Sequence, residues 1–383
     1  MKMDKLASHP SSSWRLTPER FAGSTLYREL TTPIDAQNFP DIRDAQLYIS
    51  KDGLIVNAEG WYHPEGQLVG EVMYAPDISG NRQIFGQQFR KLTLYQDTYD
   101  PVPYAQRRTL LREYDTALDQ TEINPLFAKY KQIFDRSEFT AYISGENVFR
   151  NLMPKLIAEN NPIVSDVASI DEIIGIDLSD IKMGFTGAPS FGQLDQLHDL
   201  DIIFSGTLEE NIAIAKSMRD TVRAQVDRRL TEGGKGWNIR FFNDRRTLIC
   251  SFFTYKNPEE APLRDFEMEI IEPDVVIEGE VFNDIHAIYT PTVLGLDNVR
   301  LLGVGDVRAD TQIYEPVQLI AYHTATRGEC FEGDKVQARG ALVQVTTPTS
   351  QHLGVCVIER EGIRNLTPTW EHFYVDNHDS RVT

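Results

Sequence analysis

Cysteine is scarce: three in 383 residues, Cys250, Cys330 and Cys356, far apart and without a CxxC pair. That excludes a disulfide framework and a cysteine-built zinc site, and predicts three reduced, interior thiols. Positive charge is also in short supply, with 38 Lys and Arg against 57 Asp and Glu and a formal charge of −19. A broad surface for unspecific nucleic-acid binding needs the opposite balance to displace counterions, so only a local basic groove stays open. No run approaches the roughly 18 uninterrupted apolar residues of a membrane span, and MKMDKLASHPSSSW has no apolar block of the signal-peptide kind. The expectation is a cytoplasmic protein that does not associate with membranes. Internal repeats and low-complexity tracts are missing as well. What the chain does have is 41% hydrophobic residues, enough at this length to fill the cores of two or three domains.

Residues 1–35 are polar and Ser-rich without a period, which predicts a flexible arm. Residues 36–118 hold short β-forming segments (45–49, 54–60, 68–74 and 89–95) divided by turn signals such as Lys51-Asp52-Gly53, and read as a β-rich domain. His63, in a turn before proline, has no partner at ligand spacing and reads as a solvated turn residue. Residues 104–118 and 124–134 read as helices, with Arg107, Arg108 and Arg112 at helical spacing beside Glu113 and Asp115, more a salt-bridged face than a groove wall. Further helices are expected at 145–159, broken by Pro154, and at 169–174, stopped by Gly175. Beyond the Pro-rich acidic linker 257–263, strand candidates at 275–282, 287–289, 299–304, 317–322, 335–345 and 352–359 predict an antiparallel barrel-like domain over 257–383. His323 and Arg327 fall in a loop that could form its rim.

Between these parts, residues 119–256 contain the stretch GFTGAPSFGQLDQLHDLDIIFSG, from Gly184 to Gly206. In a strand, Asp199 and Asp201 project from one face roughly 7 Å apart while Leu200 and Ile202 point the other way. Two carboxylates so placed suit a shared hard cation, and Mg²⁺ is the usual choice where phosphates complete the shell. Gly187 lets backbone N–H groups approach a phosphate without a charged side chain. After the aspartates, Thr207-Leu208-Glu209-Glu210 is a capping box that opens a helix running to about Arg229. Gly233-Gly234-Lys235-Gly236 does not fit the phosphate-loop spacing and reads as a loop. Strands at 237–242 and 247–255 meet in a hairpin at Asn243-Asp244, with Arg240, Arg245 and Arg246 clustered there.

At the central stretch the chain resembles the nucleotidyltransferase superfamily of the DNA polymerase beta type, whose pattern is Gly-Ser, a spacer of about ten, then Asp-x-Asp. It looks most like predicted archaeal and bacterial nucleotidyltransferases reading approximately GITGS-x-x-x-G and then SDIDLVVYG. Ala188 stands where that pattern has Ser, and Ser190 lies two residues on. The runs RDAQLYISKDGLIVNAEGWYHP (43–64) and RGECFEGDKVQARGALVQV (327–345) resemble the flanking segments of the same family. The resemblance implies an α+β protein with a nucleotidyltransferase-like α/β core at 119–256 between the two β domains. It implies a transferase that moves a nucleoside monophosphate from an NTP to an acceptor, RNA or a small molecule, and releases pyrophosphate. Asp199 and Asp201 would then hold Mg²⁺, Gly187, Ala188 and Ser190 would cradle phosphates, and Arg240 would touch the triphosphate. The third carboxylate usual in such sites is not on the strand LICSFFTY (248–255); Glu269, paired on one face with Glu267, is the next candidate, and Glu278 with Glu280 has the same spacing. Ala188 and the unplaced acid are also what a degenerate core would carry, one kept as a nucleotide- or RNA-binding scaffold. An unrelated α/β enzyme with a polar strand end is the third reading.

Overall fold

The structure, a computed structural model, describes residues 20–21, 23–35, 39–93, 103–120, 131–194, 197, 199–232, 235–359 and 362–367. Most of the expected N-terminal arm, the greater part of the helix expected at 124–134, and Gly233 and Gly234 lie outside them. The chain is a mixed α+β fold of three sheets. None of the described helices is long and apolar enough to cross a membrane.

The first sheet contains β1 (Thr32–Pro33), β2 (Leu47–Ser50), β3 (Ile55–Ala58), β4 (Gln67–Pro76), β5 (Arg82–Ile84), β6 (Gln87–Lys91), β7 (Gln132–Asp135) and β8 (Phe139–Ile143), in the order β1-β8-β2-β3-β4-β6-β5 with β7 on β4. It therefore extends past residue 118: β8 pairs with β1 and β2, and Gln132–Asp135 is strand where helix was expected. The expected arm contributes α1 (Thr25–Leu30), capped by Ser24, with Phe21 and Leu30 buried. Helix α2 (Tyr104–Tyr114) carries Arg108 and Arg112, which both pair with Asp119, as a salt-bridged face requires. Arg107 instead turns inward, 1% exposed, and pairs with Glu71 at 3.4 Å. His63 is half-buried rather than free in solvent, and both its ring nitrogens are engaged. Its Nε2 meets the Gly60 carbonyl and its Nδ1 accepts from Val69 N, both at 3.0 Å, and burial lowers its pKa to about 3. It is a neutral structural histidine.

The second sheet has β9 (Lys182–Phe185), β10 (Asp199–Ser205), β11 (Arg229–Glu232), β12 (Lys235–Phe242) and β13 (Leu248–Phe253), in the order β11-β12-β13-β10-β9. Helices α3 (Gly145–Ala158) and α4 (Pro162–Ile174) lead into it. Pro154 does not break α3, whose Val148, Leu152 and Leu156 are buried. Helix α4 starts on an Asn161 cap with Pro162 in its first turn and stops at Gly175 in the left-handed conformation. Helix α5 (Leu208–Ala224) opens on the expected capping box. It packs behind β13, where Ser251 Oγ donates to Met218 Sδ at 3.3 Å.

The third sheet has β14 (Glu267–His286), β15 (Thr292–Val304), β16 (Val307–Gln312), β17 (Val317–Ala321), β18 (Lys335–Thr346), β19 (Gln351–Val357) and β20 (Ile363–Asn365). Pairing runs β14-β15-β17-β19-β18 and returns to β14, so five strands form a closed ring. The ring is not wholly antiparallel, because β17 and β19 run parallel. Residues 287–289, expected as a strand, form the turn between β14 and β15. One apolar core joins the three sheets, from Leu47 and Phe89 through Leu200 and Phe253 to Ile277 and Leu319. Asn211 of α5 ties the second and third sheets together: wholly buried, it donates to the Thr254 carbonyl at 3.0 Å and the Tyr289 hydroxyl at 2.9 Å.

Candidate active site

Strand β10 lies between β13, parallel to it, and β9, antiparallel to it. Its apolar face, Leu200, Ile202 and Phe204, is fully buried, while Asp199 and Asp201 on the other face are half-buried. The sequence produces this directly through the period of two. Register then selects their neighbour. Asp201 is the partner of Cys250 on β13, and Cys250 is in turn the partner of Arg240 on β12, so the three form a row across the sheet.

Carboxylate oxygens of Asp199 and Asp201 and the Cys250 sulfur lie within 4.8 Å of one another, the group among the described residues that could share a cation. Cys250 thus occupies the neighbouring-strand position where the sequence resemblance implies a third carboxylate. Burial raises its pKa well above the ordinary thiol value, so it is a neutral thiol, and it donates a hydrogen bond to Asp201. The two carboxylates fit Mg²⁺ with phosphate and water completing its shell, whereas a protonated thiol is no ligand for so hard an ion. Burial, and next the charge of Asp199, push the Asp201 carboxyl up to about 7; Arg240, Arg327 and the Cys250 hydrogen bond oppose them.

The turn after β9 closes on this carboxylate. Thr186 N donates to the Asp201 carbonyl at 3.1 Å, and Thr186 Oγ1 to the Ala45 carbonyl at 3.1 Å. Gly187 has φ 64° and ψ −139°, and a Cβ there would overlap Asp201 Oδ2. A 3₁₀ turn, Ala188–Phe191, follows and ends at left-handed Gly192. The Gly187 and Ala188 amides donate to no other described residue, which leaves two N–H groups beside the carboxylate pair. Ser190 does not join them. It is 1% exposed and its hydroxyl is directed back to the Phe185 carbonyl at 3.5 Å, because the tight turn folds that side chain under the strand end.

Arg240 is half-buried, its guanidinium 3.9 Å above the Trp237 ring and 3.5 Å from Glu232. It stands one strand beyond Cys250, so the structure brings it to the site. Glu269 is not brought there. It is exposed on β14 in the third sheet, paired in register with Gln344, because the linker carries the chain away before β14 begins. Glu278 and Glu280 lie on the same strand. Of the hairpin arginines, Arg245 pairs with Asp166 at 3.3 Å and Arg246 stacks on Phe242 at 4.4 Å.

The loop with His323 and Arg327 is not an open barrel rim. It lies over the carboxylate face: Ala325 packs with Cys250, Leu248 and Trp237, and Arg327 stacks 4.4 Å above Phe252. Arg327, 3% exposed, also pairs with Asp44 of the first sheet at 3.5 Å. His323 Nδ1 accepts from Ala325 N and holds the loop. The roles of Cys250 and Arg327 carry no local sequence signal, since both depend on which strands meet. No family model, curated protein or solved structure matches this chain.

Proposed function

We propose that this protein is a Mg²⁺-dependent nucleotidyltransferase that moves a nucleoside monophosphate from an NTP to an acceptor and releases pyrophosphate. The observation that carries the reading is the closure of the Gly187 turn on Asp201. It sets two unpaired amides, suited to phosphate oxygens, against two carboxylates suited to the cation that phosphates carry. Mg²⁺ bound there would offset the charge of the polyphosphate and of the attacking oxygen. Asp199 and Asp201 would fix its place, the Gly187 and Ala188 amides would orient the polyphosphate, and Arg240 would offset charge from one strand away.

Cys250 supports a second reading. A neutral thiol cannot act as the third carboxylate, so the same core would serve as a nucleotide- or RNA-binding scaffold. Pyrophosphate release from ATP, CTP, GTP and UTP with Mg²⁺, across pools of RNA and small-molecule acceptors, separates the two. Release that disappears in the Asp199→Asn/Asp201→Asn variant is expected, and the active nucleotide names the donor. NTP binding without release in any pool favours the scaffold.

A further inference from the structure

A pocket of about 270 Å³ lies where the first sheet, the start of α3 and the far end of β10 meet. Ile203 and Ser205 line it and continue the face of Asp199 and Asp201, so Ser205 stands four residues and roughly 13 Å beyond Asp201. The pocket is therefore distinct from the carboxylate pair. Its inner wall is rich in donors. Gln46 is 7% exposed, and its Oε1 accepts from Arg43 N at 3.1 Å and from the Tyr48 hydroxyl at 2.8 Å. Only the amide oxygen can accept from a backbone N–H, which fixes the amide and leaves Nε2 donating to no described residue. Ser205 and Thr254, 4% and 3% exposed, share one hydrogen bond at 2.7 Å, so one hydroxyl proton of the two is left without a described acceptor. Ser144, the N-cap of α3, makes no capping bond, and the Gly145 and Glu146 amides that follow it donate to no described residue.

We infer that this pocket is an oxyanion site, taking the phosphate-monoester or carboxylate group of a ligand. Gln46 and the Ser205–Thr254 pair present protons from buried positions, and α3 adds free amides and the positive end of its dipole. Gly145 keeps that helix end pressed against the second sheet, since a Cβ there would overlap Ile203 Cδ1 and lie 2.9 Å from the Phe185 carbonyl oxygen. Arg43, half-buried, adds a cation 3.4 Å from Glu146. The acids around the pocket do not supply what these donors lack. Asp44 accepts from Gly60 N at 2.8 Å and pairs with Arg327 at 3.5 Å, Glu146 faces Arg43, and Asp41 is exposed to water. A group with several anionic oxygens offers an acceptor to each donor at once. The site needs no nucleotide and stands apart from the activity proposed above.

Calorimetric titration of the full chain tests it, with EDTA present to strip cations from the carboxylate pair. The probes are inorganic phosphate, ribose 5-phosphate and acetate, with ribose as the uncharged control. One binding event per chain is expected for the phosphates or for acetate, which names the group, and none for ribose. Gln46→Glu keeps the oxygen that Arg43 and Tyr48 use and removes the donor. Ser144→Asp supplies the missing cap and sets a carboxylate where the anion would lie. Each should weaken anion binding by about tenfold or more, the size of a hydrogen bond to a charged group. Ser144→Asp should do so with a raised melting temperature, which separates lost binding from lost folding. Asp199→Asn/Asp201→Asn should bind the anion no less tightly than wild type. No anion binding by the wild type, ribose binding as tightly as ribose 5-phosphate, or undiminished binding in Ser144→Asp would overturn the site. Loss of binding in the aspartate variant would overturn it too, by placing the anion at the carboxylate pair.

Discussion

Gly187→Ala is expected to lower turnover at least a hundredfold and to destabilise the protein at the same time. Two costs coincide at this position. The backbone conformation, φ 64° and ψ −139°, is one that side-chain-bearing residues rarely adopt, worth about 1–3 kcal/mol. The added methyl would also overlap Asp201 Oδ2. That carboxylate cannot move aside freely, because β10 is held by neighbours on both edges, and a displacement of about 1 Å in a reacting site is worth roughly a hundredfold in rate. Gly175→Ala is the matched control. It too has positive φ, 68°, but nothing lies within 4 Å of its Cβ. It should lose stability without losing pyrophosphate release. Equal activity of the two variants would contradict the contact at Gly187.

Asp201→Asn is expected to lose turnover at least a thousandfold while gaining stability at alkaline pH. The sign follows from the raised pKa. An ordinary aspartate ionises near 3.9, whereas in the folded chain burial and Asp199 hold Asp201 protonated to about pH 7. The folded state therefore binds the proton more tightly than the unfolded state. The stability this brings is fully present below about pH 4 and lost as pH rises through about 7. Asparagine cannot ionise and does not pay that loss. Urea unfolding in metal-free buffer should give similar stabilities at pH 4.5 and an advantage of about 1–3 kcal/mol for the variant at pH 8. Mg²⁺ should narrow the gap, since a cation stabilises the ionised pair of the wild type alone. A variant less stable than wild type at pH 8 would show that the carboxylate is not strained in the folded chain.

Local signals read correctly are those whose causes are local. Thr207 and Glu210 form their capping box, Gly175 ends α4, and the two aspartates share one face of β10. Errors arise where the answer depends on which strands meet. Alternation along residues 248–253 fixes the faces of β13, but only its parallel register against β10 sets Cys250 beside Asp201. Likewise, nothing in YHTATRG shows that Arg327 will pair with Asp44, 283 positions away, over the carboxylate face. Glu269 has the chemistry and spacing of a third carboxylate, but the fold leads its strand into another sheet. Ser190 has the right element type in the wrong place, because the 3₁₀ turn buries it.

Central to the proposed activity is that Asp199, Asp201 and the Gly187 turn together form a single site for a divalent cation and a nucleoside triphosphate. Calorimetric titration of the full chain with Mn²⁺ and a non-hydrolysable NTP analogue, in wild type and in Asp199→Asn/Asp201→Asn, tests it most directly. One binding event per chain that needs both metal and nucleotide, and that is lost in the variant, is the predicted result. Undiminished binding in the variant, or no metal-dependent nucleotide binding by the wild type, would contradict it.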